Sequence, residues 1–149
     1  MLQHTIDAIE AMLAKQVIPI INENDVIAVD ELDHQHSFGD NDRLAAIVTH
    51  ETNADVLIVL SDIDALYTDN PFVNPNAKQI PLVTQVTPEL MAGASGSSDL
   101  GTGGMATKLY AAEYLISKQR QMILINGKNP ATILDVVAGK KMGTLFKGV

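Results

Sequence analysis

The chain has 149 residues, enough for one compact domain and too few for two ordinary ones, so a single core is expected. Its apolar residues, 46% of the chain at a mean hydropathy of +0.12, fall in runs too short to span a bilayer. Eighteen acidic against ten basic residues leave a formal charge of −8, which excludes a general nucleic-acid surface and requires any phosphate ligand to be held locally. Such local holding would come from backbone amides, a helix N-terminus, a metal ion and a few placed lysines.

Met1 is followed by an amphipathic, mixed-charge stretch, LQHTIDAIEAMLAKQ, which does not read as a signal peptide. Residues 3–16 carry Ile6, Ile9 and Leu13 at helical spacing. VIPII at 17–21 then reads as a buried strand, made irregular or edge-like by Pro19. VIAVD at 26–30 alternates as a short strand, and ELDHQHSF is a polar loop whose His34 and His36 read more readily as solvated than as metal ligands. From Asp40 the pattern is helical again, with Asp40 or Asn41 as N-cap. DVLIVL at 55–60 is the clearest strand, and prolines 71, 75 and 81 exclude a long helix after it. TPELMAGA at 87–94 predicts a short helix capped by Thr87 with Pro88 at its first position. Residues 105–118 predict an amphipathic helix and QMILIN at 121–126 a strand. PATILDVVAG at 130–139 predicts a helix closed by Gly139, and GTLF at 143–146 a last short strand. The alternation of helix and strand predicts an α/β layered fold with a mostly parallel sheet. With no cysteine there is neither a disulfide framework nor a thiolate metal site, and a cytosolic protein is the simplest reading.

Three apolar runs end abruptly in polar groups: VIPII in NEND, VLIVL in SDID, MILI in NGKN. In open parallel sheets ligands bind outside the carboxyl ends of the strands, so these endings together describe a site. Between the second and third lies SSDLGTGGMATKL, residues 97–109. Gly101 to Ala106 fits the G-x-G-x-x-A dinucleotide pattern, but no strand directly precedes it, and the strand after the helix ends in Asn126 and Gly127 where an acidic residue belongs. The Walker pattern fails as well, because Thr107 precedes Lys108 and Leu109 follows it. What remains is exposed backbone, the Thr102 and Thr107 hydroxyls, a helix N-terminus near Met105 and Lys108 in its first turn, a combination that suits a polyphosphate. A flexible linker would explain the glycines, but a lysine in that turn opposes the macrodipole unless an anion sits beside it. DIDALYTDN fails as a calcium loop at Leu66 and Thr68. NEND and GDND could also form a hydrolytic carboxylate pair or a di-metal cluster, and Tyr67 and Phe72 are either packing groups or flank a purine.

In order along the chain, IPIINEND, FGDND, LIVLSDIDALYTDNP, NPNAK, LGTGGMATK and GTLF closely resemble the glutamate 5-kinase branch of the amino-acid kinase family, over essentially the whole chain. The resemblance implies a three-layer α/β/α sandwich around a mainly parallel sheet, with residues 1–149 forming one partial kinase domain. Within it, a glutamate-contact segment lies at about 17–45 and the nucleotide-binding part at about 55–149. It implies transfer of the ATP γ-phosphate to the γ-carboxylate of L-glutamate, the first step of proline biosynthesis, with Mg²⁺ accompanying the ATP, in a cytoplasmic homo-oligomer with no nucleic-acid or membrane partner. Asp25 and Asn41 would contact glutamate, with Gly39 and Asp40 shaping the turn, and Asp42 would organise the phosphate-binding lysines. Ser61 and Asp62 would line the nucleotide site and Tyr67 would lie by the adenine. Thr102, Gly103, Gly104, Met105, Ala106, Thr107 and Lys108 would hold the phosphates, Lys108 stabilising charge on the transferred group. A carboxylate acceptor is already ionised at neutral pH, so no general base is needed, in keeping with the lack of an obvious one.

Set against the family, the chain lacks an N-terminal portion with a first strand and another phosphate-binding lysine, so by itself it is expected to bind nucleotide weakly and catalyse nothing. The segment VIAVDELDHQHSFG is longer than in the commonest members, and Ala65 and Asn70 replace a usual glycine and aspartate, so Ala65 must avoid positive φ. The alternatives are another amino-acid kinase, against which NEND with GDND speaks, and a non-catalytic nucleotide-sensing module of the same fold.

Overall fold

The computed structural model describes residues 2–22, 41–95 and 104–149. The strand expected at 26–30, and Asp25, Gly39, Asp40, Thr102, Gly103, His34 and His36, lie outside the described residues. Nine elements follow one another: α1 (Leu2–Ala14), α2 (Asn41–Glu51), β1 (Val56–Ser61), β2 (Leu82–Val83), α3 (Pro88–Ser95), α4 (Met105–Ser117), β3 (Gln121–Asn126), α5 (Thr132–Val137) and β4 (Thr144–Lys147), counted among the described residues.

The strands form one sheet in the order β1-β3-β4-β2. β1 and β3 run parallel, as do β2 and β4, and only the central β3–β4 pairing is antiparallel. The sheet is therefore mainly parallel, and the expected α/β architecture holds. Alternation along β3 sends Met122 and Leu124 to one face, where they meet Leu109, Ala112 and Leu115 of α4, Ala46 of α2, Val59 of β1 and the fully buried Phe146 of β4. Helices α2 and α4 thus lie over the strands that end at the site.

The helices stop where the backbone turns left-handed. Gln16 (φ 58°), Asn53 (φ 53°), Gln119 (φ 58°) and Gly139 (φ 88°) each follow a helix. In each case the next amide bonds back across the last turn: Val17 to Met12, Ala54 to Thr49, Arg120 to Leu115 and Lys140 to Asp135, all at 2.8–3.0 Å between N and O. This closure satisfies carbonyls that the helix ends would leave open. At its start, α3 is capped as expected, the Leu90 amide donating to the Thr87 hydroxyl at 3.3 Å. The helix expected at 130–139 is regular only over Thr132–Val137, because Asn129 holds its entry as a turn, accepting from the Ala131 amide and the Thr132 hydroxyl.

Two expectations need correction. VIPII is not a strand: Ile18 and Ile20 are 86% and 93% exposed, and residues 17–22 have no ladder partner among the described residues. An apolar run becomes a strand only where neighbouring backbone takes up its hydrogen bonds, and Pro19 has no N–H to offer. Conversely, the loop after β1 contains β2, pinned between Pro81 and β4, where the Leu145 amide donates to the Pro81 carbonyl at 3.0 Å. No helix among the described residues is long and apolar enough to cross a membrane.

Candidate active site at the strand ends

Of the three polar endings, β1 and β3 supply two that lie side by side. Their register pairs Ser61 with Asn126, and the Gly127 amide extends the ladder to the Ser61 carbonyl at 2.7 Å. A Cβ on Gly127 would press on the Leu60 Cβ at 2.9 Å, so glycine lets the two strand ends close up. VIPII itself is no strand, and Glu23, Asn24 and Asp25 of its ending lie outside the described residues.

Side chains then fix the turn that leaves β1. Asn126 donates to the Asp64 carboxylate at 2.7 Å and to the Asp62 carbonyl at 3.4 Å, while its own carbonyl accepts from the Lys128 amide at 2.7 Å. Ser61 donates to Asp62 at 3.2 Å. Ala65 is fully buried and keeps a negative φ, as its side chain requires. Beyond it, the fully buried Thr144 hydroxyl accepts from the Leu66 amide at 2.8 Å and donates to the Ile80 carbonyl at 2.7 Å, fastening both ends of the long loop to β4. Neither Asn126 nor Thr144 stood out as a positioning residue in the sequence, because their partners lie 62 to 78 residues away.

The second wall is the N-terminus of α4. Gly104 is extended (φ −66°, ψ 176°) and the helix begins at Met105, as the spacing predicts. Lys108, in its first turn, is only 8% exposed. Its Nζ lies 3.1 Å from Oδ2 of Asp42, in the first turn of α2, and the Thr107 hydroxyl donates to the same oxygen at 3.0 Å and to the Gly104 carbonyl at 2.7 Å. The carboxylate is well placed at a helix N-terminus and the ammonium is not. Asp42 is therefore the anion that the lysine's position calls for, and the lysine by itself no longer demands a bound phosphate. Lys108 nonetheless stands in the wall of a cleft of about 740 Å³.

That cleft is lined by Ser61, Asp62 and Tyr67 from the β1 side, by Thr87 and, from α3, Glu89, Leu90 and Gly93, and by Gly104 with Met105 and Lys108 of α4. Of the predicted nucleotide residues, Ala106 and Thr107 do not line it, Thr107 facing Asp42 instead. Asn41 begins α2 beside Asp42, away from the cleft wall. Tyr67 is fixed at the opening by the Gln79 amide, which donates to its hydroxyl at 3.0 Å. The Glu89 carboxyl is held below its usual range by its own backbone N–H and by the Thr87 hydroxyl. The cleft's size is that of a small-molecule site.

A cleft at the carboxyl ends of parallel strands, with a helix N-terminus opposite, lies where open α/β sheets commonly bind ligands. The profile described as Amino acid kinase family matches residues 1–126. The chain belongs to the amino acid kinase family. Glutamate 5-kinase of Oenococcus oeni is 55% identical to it over 146 residues, which cover 98% of this chain and 54% of that protein. Glutamate 5-kinase of Listeria welshimeri is 49% identical over 145 residues, 97% of this chain and 52% of that protein. The chain spans about half the length of the curated relatives it matches. Solved structures share the fold: carbamate kinase from Giardia lamblia bound to AMP-PNP superposes with a TM-score of 0.54 at 21% identity, covering 74% of this chain and 36% of that one. UMP kinase from Bacillus anthracis gives 0.51 at 18% identity, covering 71% and 39%.

Proposed function

We propose that this chain is the nucleotide-binding part of an enzyme that moves the γ-phosphate of ATP to the γ-carboxylate of L-glutamate, giving γ-glutamyl phosphate at the head of proline biosynthesis. The observation that carries the reading is the buried Lys108, neutralised by Asp42 and opening on a cleft between strand ends and a helix N-terminus. It is supported by the identity to glutamate 5-kinases along nearly the whole chain. A cytoplasmic location, assembly as a homo-oligomer, and the lack of nucleic-acid or membrane partners belong to the same reading.

The nucleotide enters the cleft with its phosphates toward Gly104 and the α4 N-terminus, where backbone N–H groups and the macrodipole favour anions. Lys108 reaches the transferring phosphoryl group and neutralises charge that builds there, while Asp42 and Thr107 hold the ammonium in position. Ser61 and Asp62 flank the nucleotide and Tyr67 lies by its base; Thr102 and Gly103 complete the phosphate loop. Asp25 and Asn41 hold glutamate, whose carboxylate attacks without a general base. Mg²⁺ needs few protein oxygens when phosphates and water fill its shell, and Asp62 in the cleft wall fits that demand. Bound there, the ion would screen the phosphate charge.

The test titrates Mg·ATP into the full-length protein with and without glutamate and traps acyl phosphate with hydroxylamine. Glutamate-dependent hydroxamate is expected. Nucleotide binding with no trapped product would point to a sensor, and trapping only with another acceptor would point to a different kinase of the family.

A further inference from the structure

We propose that Phe72 is the stacking platform for the nucleotide base, carried in the wall of the cleft by a carboxamide-rich turn that fixes its backbone; this rests on the nucleotide reading above. Phe72 lines the cleft and yet is 87% exposed, so among the described residues it is not a packing group, which favours the other role open to it in the sequence, a purine flank. A solvated phenyl ring on a loop tip costs apolar hydration and contributes nothing to the core, unless a flat apolar ligand covers it.

The turn beneath it fixes the backbone that carries the ring. Asp69 accepts from the Asn70 amide and from the Asn74 side chain, both at 2.7 Å. The Asn70 side chain accepts from the Phe72 amide at 2.9 Å, and the Asn70 carbonyl accepts from the amides of Val73 at 3.1 Å and Asn74 at 2.8 Å. Pro71, directly before the ring, has a fixed φ. The arms of the loop are tied where Thr68 exchanges bonds with Lys78: the Thr68 amide donates to the Lys78 carbonyl at 2.9 Å, and the Lys78 amide to the Thr68 hydroxyl at 3.0 Å. With that backbone ordered before binding, only the side-chain rotamer remains to be fixed when a base stacks on the ring. Tyr67, Asp69, Asn70 and Pro71 line the same wall, so the ring and Lys108 bound one continuous cleft, an apolar surface at one part and a cation at another, the two chemistries of a nucleoside triphosphate.

Calorimetry on the full-length protein separates this inference from the reading beneath it, with Mg·AMP-PNP and inorganic tripolyphosphate as probes. The expected result for Phe72→Ala is a rise in the Mg·AMP-PNP Kd of about tenfold or more, the size of a lost base stack. Phe72→Trp should restore affinity, and tripolyphosphate should bind the variants and the parent alike. Equal AMP-PNP affinity in parent and Phe72→Ala protein overturns the inference, and so does an equal loss for tripolyphosphate, which would mean that the loop merely shapes the site. Failure of the parent protein to bind either probe sinks the nucleotide reading itself.

Discussion

The Lys108–Asp42 pair shows how a cation can sit where a helix dipole opposes it. A single carboxylate oxygen takes both the ammonium and the Thr107 hydroxyl, and both side chains are largely withdrawn from water. Removing Asp42 takes from the buried ammonium its carboxylate at 3.1 Å, so Asp42→Ala should destabilise the protein by about 3 kcal/mol, measured by urea unfolding. In the full-length protein, Lys108→Ala should lower kcat by about a hundredfold or more at saturating Mg·ATP, as expected for a lost donor to developing charge; an unchanged kcat removes Lys108 from the chemistry. Thr144→Val keeps the shape of the residue but leaves a buried amide at Leu66 without its acceptor, and should cost about 2 kcal/mol in the same unfolding measurement. The lysine was legible in the sequence, since its place in a first turn asks for an anion. Thr144 was not, because a buried threonine that staples two distant backbone groups looks like any strand residue until the chain has folded.

Helices and strands with strong periodicity were read almost to the residue: β3 coincides with QMILIN and α4 with the helix after the glycines. What failed were elements defined by their partners. VIPII has the composition of a strand without the ladder, and β2 has the ladder without enough length for alternation to show. Helix ends were only partly visible, because glutamine and asparagine occupy three left-handed positions where glycine would have announced the stop. Glycine is indispensable at Gly143 (φ 62°), where a Cβ would collide with the Leu124 carbonyl oxygen of the neighbouring strand. Gly143→Ala should therefore cost about 3 kcal/mol by thermal or urea unfolding, from left-handed backbone and overpacking together. The loop carrying Phe72 depends on an ionised Asp69, whose carboxyl is held below its usual 3.8 by the Asn74 side chain and then the Asn70 amide. Because the folded value is depressed, its contribution is fully present above about pH 4 and is lost as pH falls through the folded value. Carboxyl chemical shifts followed by NMR should place that midpoint below 3.8; a midpoint at or above it would deny the turn its anchor.

For the molecule as a whole, the net charge of −8 and the proposed handling of a polyanion are reconciled by geography. In the proposed reading the α4 N-terminus and Lys108 hold the phosphates locally, so the acidic chain as a whole has no need to attract a polyanion. The sheet supplies the frame: two parallel strands end in register, the loop from one is stapled to β4, and α2 and α4, packed on the same face, bring Asp42 and Lys108 within reach of each other. The most direct measurement is a crystal structure of the full-length protein with Mg·AMP-PNP. The expected result is a triphosphate in the cleft, its γ-phosphate within hydrogen-bonding distance of the Lys108 Nζ and its β-phosphate against the backbone at Gly104. Phosphates bound away from α4, or a cleft left vacant at saturating nucleotide, would contradict the assignment.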